Sequence, residues 1–512
     1  MTLFESTLAL LIVAIVLLQV SRRLGTPYPA MLALAGACVA AFPWAPNLVI
    51  EPNLALTLFV APVLLDAAYD TAPRELRRNW VPLVALVLVA VVLTTAAVAW
   101  AGWAMAGLPL AAAITLGAIV APPDAAAAAA VLNQFSLPRR TLSILQGESL
   151  LNDAVALLIF GAAVSAATSQ QSAVAKSFPT LLIAIPGGVV FGLLLGKLYP
   201  WLASHVAGTL SSSILEFTTT FGAWIIAEHL HLSPIITIVV FAMTIARSMP
   251  ARQSPRDRIH SYSVWEAVVF ILNVLAFLLM GLQARIILSR LAGDELWRAL
   301  LFACVVLAIV ILVRLGWVMA YSAIVRWLGP PNVSAPTKSI ALLVSWCGMR
   351  GLVTLATAYA LPQGFPGRDV IVLSAFTVVL GTLIIQGLTI KPLIKLLQIK
   401  PDTSLEAEIS IARTEMMQAA IATLADEQGE TANNVRAEYE AARALAKDRS
   451  DPQADTEHDR LRRKAIAAQR KALAEIRADG RIDDDAFHRL EEELDWAELN
   501  ASHPRHLELL ST

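Results

Sequence analysis

Over the first four hundred residues the chain runs in apolar stretches separated by short polar clusters, and many of these stretches are close to twenty residues long. A bilayer core of about 30 Å takes about 20 apolar residues as helix. On that measure the sequence predicts spans near 3–21, 28–44, 53–70, 81–106, 109–133, 145–168, 178–200, 212–230, 232–247, 262–283, 297–325, 337–361 and 369–396. Thirteen is odd, so the two ends face opposite sides. Beyond Lys400 the pattern changes to one rich in Ala, Glu and Arg. Segments 403–427, 433–448 and 457–478 read as polar helices, with Gly480 as a stop and Asp483–Asp485 opening a last helix over 484–500. The expected fold is an all-α polytopic membrane protein in two parts, a transmembrane domain over 1–400 and a helical tail over 401–512.

Composition agrees with this. Of 512 residues, 57% are hydrophobic and 15% charged, against roughly 25% charged in soluble domains. The net charge of −1 hides a division. Up to Lys400 there are 24 Lys+Arg against 15 Asp+Glu; beyond it, 15 against 25. With the first loop inside, 17 basic residues fall on that side, among them Arg22, Arg23, Arg74, Arg77, Arg78, Arg139 and Arg140. Five fall outside: Lys176, Arg285, Arg290, Arg298 and Arg368. The positive-inside rule then predicts an outer N-terminus and a cytoplasmic acidic tail in a multi-pass protein of the cytoplasmic membrane. Glu5 stands where a secretory signal carries basic residues, so 6–20 reads as a retained first span. Cys38, Cys304 and Cys347 lie far apart in apolar runs, with no disulfide framework or zinc motif.

Ionisable groups inside predicted spans are costly unless paired or wet, and so they are the informative ones. They are Asp66, Asp124, Glu148, Asp153, Glu216, Glu228, Glu266, Arg314 and Arg350. Carboxylates dominate, which favours a cation pathway. Glu216, Glu228 and Glu266, near span ends, read as interfacial, and Arg314 receives no role.

The fifth span is broken by Pro122-Pro123 before Asp124, and the twelfth carries Gly348 and Gly351 around Arg350. With spans 1–6 and 8–13 taken as two halves, these breaks occupy corresponding positions and run oppositely. That is the inverted-repeat layout of secondary transporters, whose sites lie where discontinuous helices meet. The run Ala125–Ala130 reads as a close-packing stripe. In the sixth span, helical spacing places Ser149 and Asp153 on one face and Glu148 and Asn152 on the next. Asp153, Ser149 and Asp124 then offer an all-oxygen pocket for a hard cation, while Glu148 is available to pair with Arg350.

The segments VAPPDAAAAAAVL, LQGESLLNDAVALLIF, FILNVLAFLLMGLQ and SWCGMRGLVTLATAYALP resemble, in order and spacing, the motifs of bacterial NhaP-type sodium/proton antiporters, relatives of the animal sodium/proton exchangers. The resemblance covers about residues 5–400. It implies a homodimer with a NhaA-like core of two crossed, partly unwound helices, the fifth and twelfth, exchanging Na⁺ or Li⁺, sometimes K⁺, for H⁺ by alternating access. By the same resemblance Asp153 is the ion- and proton-binding aspartate, Asn152 its partner, Asp124 the fifth-helix aspartate and Ser149 a serine ligand. Glu148 and Arg350 match the pair that holds the core together. Asp66 stands where many members have Glu. The family's Thr-Asp-Pro is here Pro123-Asp124-Ala125, which removes a hydroxyl and leaves the choice between Na⁺ and K⁺ open. The Asn-Asp pair implies electroneutral exchange.

No cofactor, nucleic-acid partner or enzyme activity is expected. A cation channel is the alternative class, and a membrane hydrolase lacks an HExxH or GxSxG motif. The tail reads as a regulatory or dimer-supporting module, or as plain solvated helix. A calcium loop centred on Gly480 would place Arg477 and Ala486 at ligand positions 3 and 12, so that reading fails.

Overall fold

The computed structural model describes residues 3–24, 27–42, 51, 54, 56–71, 73–124, 128, 132, 135, 137–168, 172–206, 209, 211–249, 252–288, 290, 293–328, 336–399, 402, 404–447, 457–479, 481 and 484–501. The chain divides into two compact units, Met1–Asp402 and Thr403–Thr512. Among the described residues both are helical, without strands.

The first unit contains α1 (Leu3–Leu24), α2 (Tyr28–Ala40) and α3 (Ala61–Asp70, entered through a π-helical stretch Leu56–Val60). There follow α4 (Trp80–Ala106), α5 (Leu110–Val120), α6 (Arg139–Thr168), α7 (Ser172–Ser204), α8 (Ser211–His229) and α9 (Pro234–Ser248). The last are α10 (Pro255–Leu282), α11 (Asp294–Leu328), α12 (Lys338–Trp346), α13 (Leu352–Tyr359) and α14 (Arg368–Leu397). A described helix lies in each of the thirteen predicted stretches. Among the described residues six helices, Trp80–Ala106, Arg139–Thr168, Ile183–Ser204, Asp257–Leu288, Asp294–Leu328 and Arg368–Leu397, are long and apolar enough to cross a membrane. Their outer faces carry bare apolar side chains such as Trp100, Trp103, Leu194 and Leu312. Water would penalise that surface, whereas lipid tails accept it.

Small residues set how closely these helices approach. Gly36 of α2 lies against Gly281 of α10, and a Cβ on either would run into the other helix's backbone at Leu278 or Ala33. Packing is reciprocal between the halves. Helix α2 packs on α10, while α3 packs on α9; α4 also packs on α11. Under the pairing of spans 1–6 with 8–13, the first two contacts exchange and the third maps onto itself.

Two of the predicted spans are not continuous helices. Helix α5 stops at Val120, and the twelfth span is two short helices, α12 and α13, joined by a non-helical stretch around Arg350. Apart from Ala128, the run Ala125–Ala130 lies outside the described residues.

The second unit contains α15 (Ser404–Thr423), α16 (Glu430–Lys447), α17 (Glu457–Ala478) and α18 (Asp484–Ala501). Helix α15 packs on α16 and α17 on α18. Ile466 and Leu473 are buried, and Arg470 of α17 donates to Glu498 of α18 at 2.7 Å. The expected stop at Gly480 and start at Asp483 lie outside the described residues.

Candidate functional site

Proline has no N–H, so Pro122-Pro123 cannot continue the hydrogen-bond ladder of α5. The next donor, the backbone N–H of Asp124, turns away from its own helix and donates to the carbonyl of Met349 at 2.7 Å. The two interruptions are thereby joined main chain to main chain. The carbonyl of Val120, whose helical donor Asp124 has turned away, accepts from Arg350 Nε at 3.0 Å, and that of Ala121 accepts from Nη2 at 3.1 Å. Arg350 also donates through Nη1 to the carbonyl of Gly348, and its backbone N–H reaches Thr382 Oγ1 of α14 at 3.0 Å. A guanidinium 1% exposed is thus spent on repairing two broken helices.

Gly351 lies beside Asp124, where a Cβ would overlap the carboxylate. Helix α6 brings its polar residues to the same place. Asn152, fully buried, donates from Nδ2 to the carbonyl of Pro123 at 3.1 Å, and its Oδ1 has no partner among the described residues. Asp153 is 6% exposed. Its charged neighbour is a second carboxylate, Asp124, and it forms no ion pair among the described residues. Tyr28 of α2 is also within electrostatic reach of Asp124. Ser149 lies one turn before Asp153, half-buried. Asp66 is placed differently: its charged neighbours on α3 and α10 are Asp70 and Glu266. Among the described residues no three His, Cys, Asp or Glu are gathered to hold a metal ion. A cation here would complete its shell with hydroxyls, carbonyls or water.

One expected pairing is corrected. The carboxylate of Glu148, buried on α6, is held by Arg314 of α11 and not by Arg350. Arg314 Nη2 donates to Oε2 at 2.9 Å, Nη1 to Oε1, and Nη2 again to the carbonyl of Val344 at 3.2 Å. The physical reason is one of supply. The breaks leave carbonyls that draw Arg350 toward α5, while Arg314 faces α6 with a fork that matches both carboxylate oxygens. The two guanidiniums flank Gly348. Sequence reasoning gave Arg314 no role, although it is the one other arginine deep in a predicted span.

Comparison with known proteins agrees with this architecture. An uncharacterised Na⁺/H⁺ exchanger of Mycobacterium tuberculosis is 28% identical over 502 residues, 93% of this chain and 92% of the relative. A sodium, potassium, lithium and rubidium/H⁺ antiporter of Bacillus pumilus is 27% identical over 427 residues, 79% of this chain and 63% of its own. The solved sodium/proton antiporter MjNhaP1 of Methanocaldococcus jannaschii superposes with TM-score 0.59 at 18% identity, covering 78% of this chain and 99% of that one. The family described as sodium/hydrogen exchanger, transmembrane, matches residues 8–396. With Asp153 buried and Asp124 half-buried at a junction of interrupted helices, the chain belongs to the sodium/hydrogen exchanger family, a family of membrane transporters and not of enzymes.

Proposed function

We propose that the protein is a secondary active antiporter that exchanges Na⁺ or Li⁺ for H⁺ across the cytoplasmic membrane. The observation that carries this reading is Asp153: a buried carboxylate whose charged neighbour is Asp124, beside two interrupted helices. Burial disfavours an ionised carboxylate, and either a proton or a bound cation relieves the cost. The two ions therefore compete for one group. Asp153, Asp124, Asn152 and Ser149 form the site, and Asp66 serves it from the neighbouring acidic group with Asp70 and Glu266.

An empty, ionised site is costly to carry through the barrier, which suppresses leak. Loaded with either ion, the site passes from side to side by alternating access, one H⁺ against one cation, and the protein works as a homodimer. The exchanged packing of α2 on α10 and α3 on α9 supports an inverted repeat. The basic loops support an outer N-terminus and a cytoplasmic tail, and the tail serves regulation or the dimer. Potassium is a further candidate substrate, because Pro123 stands where the resembled motif has threonine and the Bacillus pumilus relative is named for K⁺ among its ions.

Adding NaCl, LiCl or KCl separately to everted vesicles loaded with a pH dye tests exchange and selectivity together. Dequenching by Na⁺ or Li⁺ is expected, with half-saturation rising as the pH falls because protons compete. Ion conduction without counter-movement of protons would favour a channel instead.

A further inference from the structure

Helix α14 carries a polar group that the exchange reading does not use. Gln386 is fully buried, and among the described residues neither its Nε2 nor its Oε1 has a hydrogen-bond partner. Interchanging the two amide atoms does not repair this, since neither has one. A buried amide with no partner is expensive, and an apolar residue of similar size would remove the cost. A buried water molecule with hydrogen bonds to the amide would remove the same cost.

The surroundings of Gln386 say what such a water would serve. Thr382, one helical turn earlier and on nearly the same face, accepts the backbone N–H of Arg350. Gly387, the next residue, lies against the sulfur of Met349, where a Cβ would sit 3.6 Å from Sδ, and against Pro27. Met349 is the residue whose carbonyl receives Asp124. Gln386 is thus on the face of α14 that backs the junction, flanked there by fully buried Thr382 and Ile390. No charged side chain is bonded to it. An amide offers an acceptor and two donors at once, so its Oε1 can accept from a water molecule whose oxygen faces a cation, while Nε2 is left to donate to a helix carbonyl or a further water.

We propose that Gln386 is a positioning residue of the exchange site, holding a water molecule at the junction of the interrupted helices that completes the hydration of the transported cation. The proposal rests on the antiporter reading of the same site. Its test is Gln386→Leu in the full-length protein, with Gln386→Asn as the conservative variant, read by half-saturation for Na⁺ or Li⁺ and by thermal melting. Losing one hydrogen bond to the bound ion's shell raises half-saturation about five- to tenfold. The melting temperature of Gln386→Leu stays level or rises, because an unmet polar group is gone, and Gln386→Asn recovers part of the affinity.

Wild-type half-saturation in Gln386→Leu overturns the proposal, and so does a fall in melting temperature that tracks the loss of transport in both variants. If Gln386→Leu does not fold, wild-type half-saturation in Gln386→Asn, whose amide stops one carbon short, overturns it equally. Failure of the antiporter reading is distinguishable, since wild-type protein itself would then show no cation-driven proton movement.

Discussion

Two buried polar centres lie on neighbouring turns of α6, and they are built on opposite principles. At Glu148 the charge is met in full: Arg314 grips both carboxylate oxygens from α11 and reaches on to Val344 of α12. At Asp153, five residues later, the charged neighbour has the same sign. At the first centre both carboxylate oxygens are held by the protein, and Arg314 Nε is left without an acceptor among the described residues. At the second the described residues supply no counter-charge, which is the opening that the proposed exchange uses. Burial is nearly equal, with Glu148 at 1% and Asp153 at 6% exposed. What separates the two carboxylates is therefore the sign of the neighbouring charge.

Substitutions that exchange these behaviours break the comparison most directly. Asp153→Asn is expected to abolish cation-driven proton movement in proteoliposomes while the protein stays folded, and retained exchange would remove Asp153 from its role. Glu148→Ala should act on stability, because it leaves Arg314 buried and unpaired at a cost of about 3–5 kcal/mol. Replacing both partners with apolar residues, Glu148→Leu with Arg314→Met, should restore much of the melting temperature. If Arg350→Met rather than Arg314→Met rescued Glu148→Ala, the pairing would be the other one.

Gly351→Ala sharpens the contrast from the site's side. Its Cβ meets the Asp124 carboxylate, and displacement of a ligand by an ångström costs on the order of a hundredfold in rate. Exchange should fall far more than melting temperature. Asn152→Ala removes the bond to Pro123 and is expected to cost about 1 kcal/mol, seen as a small shift in melting with partial loss of transport.

Sequence alone made much of the scaffold legible. Hydropathy located the helical stretches because lipid-facing and core-facing positions are both apolar, so length is the signal. The interruptions were legible at Pro122-Pro123 and around Gly348–Gly351 for a local reason: a missing N–H and missing side chains act on the residue that carries them. Pairing was not legible. Glu148 and Arg314 are 166 positions apart, and composition offers Arg314 and Arg350 as equal candidates. The choice depends on which guanidinium the carbonyls of Val120 and Ala121 draw away, and that is settled only once the two breaks have been brought together. Gln386 and Tyr28 stayed hidden too, since a polar residue inside an apolar run does not announce what it faces.

The bond from Asp124 to Met349 has one more consequence. Both of its atoms belong to the main chain, so almost every amino acid supplies them equally well, and proline at 124 is the one genetically encoded replacement that takes the donor away. The side chains at both positions can therefore be exchanged without removing the joint that holds the broken helices.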